Sequence, residues 1–318
     1  MNQNEKPILV AIHCLVYNHE PYLRDCFEGF VMQKTNFRFV AIVHDDCSKD
    51  KSADIIREYA KKFPDIFHPI YETENQYSKN DGSIKRIMYK AIDESGAKYV
   101  AMCEGDDYWT DPYKLQKQID ILEVDESLVA CFTDCMMVDK EGNVLQEKRP
   151  TVKRENAGRY NLREFLEDNR TSTLSLVYRN IHREELRRNH ERLKNKYLGD
   201  WQLYICLLIY GDMYYLNQVT CAYRVNPASL TNALWPKERV GRIKEDRKVY
   251  KGVAEILPPE YADIAADFRD IRWTWVPLMF AYKAEKRYWG MIGCFIVSCF
   301  VCPGRLWRAF KEGLQKRL

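Results

Sequence analysis

The sequence predicts an α/β protein in which helices flank a mostly parallel sheet and a helical C-terminal extension follows. Three observations carry this. From residue 6 to 123, apolar runs of strand length alternate with segments whose apolar residues recur every three to four positions. The strand-like runs are apolar at successive positions, as strands covered on both faces require. From Pro236 onward the pattern is helical throughout.

Ile8 to Val16 is the first apolar run, and Tyr17-Asn18-His19-Glu20-Pro21 turns the chain, with Pro21 suited to a first helical position. Tyr22-Leu23, Cys26-Phe27 and Phe30-Val31 mark one face of a helix. A second strand, Phe37 to Val43, ends in His44-Asp45-Asp46-Cys47-Ser48-Lys49-Asp50, and the helix Ser52 to Phe63 has Ile55, Ile56, Tyr59 and Phe63 on its buried side. A short strand (Phe67 to Tyr71), a polar loop (Glu72 to Gly82), a helix (Ile84 to Glu94) and a strand (Tyr99 to Cys103) complete a β-α-β-α-β-α-β order. That order implies right-handed crossovers between parallel strands.

Glu104-Gly105-Asp106-Asp107 ends the last of these strands, and Thr110-Asp111-Pro112 signals a helix over Lys114 to Leu122. Leu128 to Met137 reads as a strand and Asp139 to Asn143 as a hairpin turn. The polar, basic stretch Glu147 to Gly158 is expected to be a flexible loop over the site, and Asn161 to Leu166 to start a helix. Thr171 to Tyr178 alternates hydroxyl with apolar side chains before a charged helix over Ile181 to Lys196. Gly199-Asp200-Trp201 opens the apolar segment Leu203 to Tyr210, and Asp212 to Gln218 and Val219 to Tyr223 read as two strands. The expected organisation is a domain over 1–230, with halves at about 6–123 and 124–230, and a helical region over 231–318.

With 49 basic against 46 acidic residues the net charge is only +3, which argues against a dedicated nucleic-acid binder. Of eleven cysteines only Cys299 and Cys302 have C-x-x-C spacing, with no second such pair or histidines near them. The first residues hold no apolar signal region. Together these favour a cytoplasmic protein with free, buried thiols. The apolar run Tyr288 to Cys302 is 15 residues, short of the roughly 20 that a span needs. Arg305, Arg308, Lys311, Lys316 and Arg317 follow it against a single Glu312. Two readings fit: a segment lying on the inner face of the cell membrane, or a core helix with a solvated basic face after it.

Carboxylates as close as Glu104, Asp106 and Asp107 repel one another, so a fold keeps them together where a cation or hydrogen-bond donor sits among them. An oxygen-ligand divalent cation that also takes phosphate is the natural occupant. Ligands of open α/β sheets bind beyond the carboxyl ends of the strands, where Tyr17-Asn18, Asp45-Asp46 and Glu104 to Asp107 all fall. Each cluster alone reads equally well as a cap or turn; three converging clusters point to a ligand. Asp200 also has two readings, a helix cap or a carboxylate at a pocket mouth beside the aromatic wall of Trp201.

Taken in order, Val16-Tyr17-Asn18, His44 to Asp50, Glu104-Gly105-Asp106-Asp107, Gly199-Asp200-Trp201 and Tyr223-Arg224-Val225-Asn226-Pro227-Ala228-Ser229 resemble the motifs of family 2 glycosyltransferases of the GT-A fold. The resemblance covers roughly residues 6 to 230. It implies a GT-A, Rossmann-like sheet, a nucleotide-diphosphate-sugar donor (a UDP-sugar first), Mn²⁺ or Mg²⁺, and inversion at the anomeric carbon. A glycan or lipid-linked glycan acceptor, in bacterial polysaccharide assembly, goes with it. By position, Leu15 and Tyr17 would line the base pocket, Asp46 would accept from the base, Asp106 would contact the ribose or the metal, and Asp107 would ligate the metal. Asp200 would be the general base, with Lys79, Arg224 and Asn226 toward the phosphates. Two departures stand out. Glu104 occupies the first acidic position of the DxD motif, where it would reach the metal through water or bind another part of the site such as the donor sugar. Asn226 stands where the family often has histidine. Thr171, Ser172, Thr173 and Trp201 are acceptor-side candidates.

A sugar nucleotidyltransferase would show a glycine-rich phosphate loop after the first strand, and Val16 to Glu20 has no glycine. A catalytically inactive nucleotide-sugar-binding scaffold would account for Glu104 but leaves Asp200 without a purpose.

Overall fold

The computed structural model describes residues 7–79, 81–149, 156–167, 171–181, 183–193, 199–225, 239–270 and 272–315. They group into two units, Met1–Leu186 with Tyr210–Asn226, and Arg187–Ile209 with Pro227–Leu318. The segment bearing Asp200 therefore groups with the C-terminal helices, which a single boundary near residue 230 does not capture.

In the first unit, β1 (Ile8–Val16), β2 (Arg38–Asp45), β3 (Phe67–Tyr71) and β4 (Tyr99–Met102) are linked by α1 (Leu23–Val31), α2 (Ser52–Lys62) and α3 (Ser83–Glu94). Then come β5 (Tyr108–Trp109), α4 (Lys114–Val124), β6 (Leu128–Val138), β7 (Val144–Arg149), β8 (Gly158–Tyr160), α5 (Leu162–Glu167), β9 (Val177–Arg179) and, from Asp212 to Arg224, β10. Among the described residues the strands form one sheet in the order β3-β2-β1-β4-β9-β6-β10-β5, with β7 on β6 and β8 on β10. The β3-β2-β1-β4 half is parallel throughout. Antiparallel pairs enter with β9, while β6 and β10 are again parallel.

Two expectations are corrected. The strands expected over 212–218 and 219–223 are one, because β10 absorbs the irregularity as register shifts against β6 between Leu216 and Val219 and between Val219 and Cys221. Glu147 to Arg149, expected in a loop, belong to β7, which pairs with β6; residues 150–155 of that stretch lie outside the described residues.

Leu23, Cys26, Phe27 and Phe30 recur at helical spacing, which gives α1 one buried face. That face packs on Val10, Ile12, Cys14 and Val16 of β1 and Ala41 and Val43 of β2. Phe27 meets Phe67 at 4.9 Å and Phe30 meets Trp109 at 5.0 Å, both edge to face. Each such fully buried phenylalanine stabilises the fold by about 1.5–3 kcal/mol. Trp109, 1% exposed, donates its indole N–H to the Leu174 carbonyl at 3.0 Å, so the residues just after the acidic turn are anchored in the core.

The second unit is helical: α6 (Arg183–Arg192, its first turn in the first unit), α7 (Gly199–Leu208), α8 (Arg239–Ile256), α9 (Ala262–Arg269), α10 (Arg272–Ala284), α11 (Tyr288–Val301) and α12 (Pro303–Gln315). Gln202 to Leu208 of α7 are buried, as a helix apolar on all sides must be. Val276, Leu278 and Met279 of α10 pack with Cys294 and Leu306 in a separate core. Among the described residues no helix is long and apolar enough to cross a membrane.

Candidate active site

Because β1, β2 and β4 are parallel, with Val16 opposite Asp45 and His13 opposite Met102, their carboxyl ends share one edge of the sheet. The two loops leaving β1 and β2 interlock there. Asn18 (φ 57°) and Cys47 (φ 63°) take left-handed backbone conformations, which Asn tolerates better than most residues. The Asn18 N–H donates to Ser48 Oγ at 3.0 Å, and Asn18 Oδ1 accepts from the Lys49 N–H at 2.7 Å. His19 N–H donates to Ser52 Oγ and Glu20 N–H to Asp50 Oδ2, each at 3.0 Å. Partial burial opposes ionisation of Asp50, but hydrogen bonds from Ser52 and Glu20 prevail and hold its carboxyl below the usual range. Much of the Asp45 to Asp50 motif is thus a latch that shapes the edge.

The acidic turn follows β4. Gly105 N–H donates to the Leu15 carbonyl at 3.0 Å and Asp107 N–H to the Glu104 carbonyl at 3.1 Å. A side chain on Gly105 would place its Cβ 2.8 Å from His19 Nδ1, 3.0 Å from Val16 Cγ2 and 3.1 Å from Leu23 Cδ1, so only glycine fits. Gly105→Ala is expected to cost about 1–3 kcal/mol by overpacking and to displace the carboxylates. Urea unfolding and nucleotide affinity check this; a variant equal to the parent in both would show that the packing yields.

Asp107 is 6% exposed, and its Oδ1 accepts from the Arg224 N–H at 2.7 Å. Burial first, then the neighbouring Asp106 charge, push its carboxyl well above the usual range, Glu104 adding to the effect and Arg224 opposing it. Such a group is held ready for a positive charge. Arg224, expected toward the phosphates, has a side chain that is 1% exposed and pairs with Asp25 at 2.9 Å. It donates also to the carbonyls of Asp106, Asp139 and Lys140, and stacks 4.7 Å from the Tyr22 ring and 5.3 Å from that of Tyr108. With every guanidinium nitrogen engaged, Arg224 is a strut for the acidic turn.

Beside this turn, Leu15 is half-buried and Tyr17 44% exposed at the end of β1. Asp46 is buried, and its two oxygens accept from the N–H groups of Gln76 (2.6 Å) and Tyr77 (3.0 Å), which pins the loop after β3. Each oxygen retains a second lone pair for a ligand. Lys79 pairs with Glu74 in the same loop. Ser172 is buried with its hydroxyl 3.2 Å from Cys135 Sγ. Thr171 precedes it, and Thr173 begins a 3₁₀ turn, Thr173–Ser175.

In the second unit, Asp200 lies exposed in the first turn of α7, where a carboxylate complements the helix dipole. Trp201 is half-buried, its ring 5.4 Å from that of Tyr250 and 6.4 Å from that of Phe268 in the same unit. Asn226 lies outside the described residues.

The acidic turn suits a hard divalent cation: a buried, raised-pKa carboxylate beside two more acids, all oxygen donors. Among the described residues no three His, Cys, Asp or Glu side chains converge on one point, so the protein offers one or two carboxylates and phosphate would complete the set, as Mg²⁺ sites commonly do. Two histidines also stand out near this edge: His19, whose buried Nδ1 has no hydrogen-bond partner among the described residues and whose pKa burial lowers against the pull of Asp106 and Asp50, and His13, whose pKa burial lowers to about 4. No motif marks either residue, since each follows from what the fold places around it. A cavity of about 410 Å³ lined by Ile121, Val124, Leu128, Arg159 and Tyr214 opens at the amino end of β6, away from the strand ends that bind ligands.

The profile of glycosyl transferase family 2 matches residues 12–189, more than half of the chain, and that span runs from within β1 through β9 with the whole acidic turn. The chain belongs to this family. An uncharacterized protein of Mycobacterium tuberculosis is 28% identical over 231 residues, 72% of this chain and 62% of that protein. The chain thus spans under two thirds of the length of this relative. An uncharacterized glycosyltransferase of Methanocaldococcus jannaschii is 29% identical over 154 residues, 47% of this chain and 49% of its own. The GT-A fold is shared with TarS of S. aureus, solved as its 1-349 segment in complex with UDP-GlcNAc, at TM-score 0.59 and 13% identity over 96% of this chain and 92% of that one. It is shared too with a mannosyltransferase of Pyrobaculum calidifontis, solved with GDP-Man and Mn²⁺, at TM-score 0.54 and 14% identity over 98% and 81%.

Proposed function

We propose that the chain is an inverting, divalent-metal-dependent glycosyltransferase that moves a sugar from a nucleotide diphosphate, UDP first, to a hydroxyl of a glycan or lipid-linked glycan. The observation that carries this reading is Asp107, a carboxylate held buried beside Asp106 and Glu104 at the carboxyl edge of the sheet. Leu15, Tyr17 and Asp46 take the nucleoside, with Asp106 toward the ribose and Lys79 toward the phosphates. Asp107, with Asp106 beside it and Glu104 toward the donor sugar, would hold Mn²⁺ or Mg²⁺, which when bound offsets the charge that builds on the leaving diphosphate, by several kcal/mol. Asp200 takes the proton of the acceptor hydroxyl as that oxygen bonds to the anomeric carbon and the sugar–phosphate bond breaks on the opposite face.

The test is thermal unfolding of the chain with a panel of nucleoside diphosphates and nucleotide-sugars, with and without Mn²⁺. A stabilisation of about 5–10 °C at a ligand concentration 100-fold above Kd, requiring both metal and diphosphate, is the expected result. No shift with any member, the protein being folded, would overturn the reading and favour the scaffold.

A further inference from the structure

The face of α11 poses a problem that the sugar-transfer chemistry does not touch. Between Arg287 and Arg305 the chain carries no charged residue, yet α11 is largely exposed: Trp289 is 88% and Phe300 83% accessible, with Tyr288, Ile292 and Ile296 on the same helix also open. Only Cys294 and Ser298 of α11 are buried, and the Ser298 hydroxyl is turned inward, donating to the Cys294 carbonyl at 2.7 Å. A helix built for water carries charges on its open face. On α12, Trp307 is 73% exposed while Leu306 joins the core.

The charges that flank this apolar run in the chain are mostly of one sign: Lys286, Arg287, Arg305, Arg308 and Lys311, with Glu285 before them and Glu312 after. Lys286, Arg287, Arg308 and Lys311 are exposed. The nearest preceding acid, Glu285, is engaged, accepting from the Val240 N–H at 2.9 Å and pairing with Arg287. With 14 residues, α11 is about 21 Å long, against a hydrocarbon core of about 30 Å. It is too short to cross a bilayer and suited to lie along one. Tryptophans at the border of an apolar face flanked by cations are the usual equipment of a helix at the lipid–water boundary.

We propose that α11 and α12 dock the chain on an anionic lipid bilayer. Trp289, Phe300, Trp307 and Ile296 enter the boundary between headgroups and acyl chains, and Lys286, Arg287, Arg308 and Lys311 meet the anionic headgroups. The charge pattern selects lipid over a second copy of the chain, because apposing two such faces would bring like charges together. This inference stands apart from the sugar-transfer reading, since it uses none of the residues of the acidic edge.

The test is co-sedimentation of the chain with phosphatidylcholine vesicles, with and without 30% phosphatidylglycerol. Tryptophan emission and sedimentation velocity run alongside. Expected are binding to the anionic vesicles with a blue shift in emission, weakening as salt rises, and much weaker binding to the neutral ones. Arg308→Gln with Lys311→Gln should lower partitioning roughly 25-fold, at about fivefold per cation. Trp289→Ser with Phe300→Ser should weaken partitioning and shrink the blue shift, Trp307 remaining in place, and because both positions are open to solvent the variant should melt with the parent. Two results would overturn the proposal: no partitioning into anionic vesicles at low salt by folded protein, or a dimer that the Trp289→Ser, Phe300→Ser variant dissolves while lipid is not bound.

Discussion

Replacing Asp107 by asparagine should raise the melting midpoint of the metal-free protein while abolishing its response to Mn²⁺ and its turnover. The amide keeps the acceptor oxygen for the Arg224 N–H, so the turn retains its hydrogen bond. What disappears is a charge that burial and Asp106 disfavour. For a carboxyl whose folded-state pKa is raised, the stabilising contribution is fully present below the ordinary carboxylate pKa and is lost as pH rises through the folded value. Metal-free parent protein should therefore lose stability from this group between acidic and neutral pH, and the variant should not. A cation that replaces the proton restores the loss, so the Mn²⁺-dependent gain of the parent should be larger at pH 7.5 than at pH 5.5. Each kcal/mol relieved raises the midpoint by about 2–4 °C in a domain of this size. Calorimetry of parent and variant at both pH values, with and without metal, measures all of this. A variant that melts below the metal-free parent and still responds to Mn²⁺ would remove Asp107 from the metal site.

Asp200→Asn should have the complementary signature, a loss of turnover of about 10²–10⁴-fold with the metal-dependent donor stabilisation intact. The amide matches the carboxylate in size and, at this exposed first-turn position, gives up part of a favourable helix-dipole interaction, about 0.3–1 kcal/mol. It cannot accept the acceptor's proton. Release of nucleoside diphosphate in the presence of acceptor, read beside the donor melting shift, separates the two aspartates: one variant loses binding and rate, the other rate alone. A variant as fast as the parent would assign the base elsewhere.

Much of this was legible in the sequence for a physical reason. The apolar runs of β1, β2 and β4 and the helical spacing of Leu23, Cys26, Phe27 and Phe30 are local consequences of strand and helix periods. The order of those elements requires a parallel sheet, and a parallel sheet requires Tyr17-Asn18, Asp45-Asp46 and Glu104 to Asp107 at one edge. The apolar, uncharged run that became α11 was equally plain.

Which polar residues at that edge face a ligand, and which hold the fold, was decided by tertiary structure alone. Arg224 is expected at the phosphates from its motif, and the structure adds that it braces the acidic turn, with an ion-pair partner, Asp25, 199 residues away in the chain. Ser172 is turned into the core by Cys135, and Gly105 is irreplaceable because His19, Val16 and Leu23 close around it. The sequence by itself determined the fold class, the strand-end clusters and the acidic turn, since hydrophobic period and local turn chemistry are written in neighbouring residues. The roles of Asp46, Asp50 and Arg224 and the raised pKa of Asp107 come from burial and from hydrogen bonds to distant residues, and only folding brings those partners together.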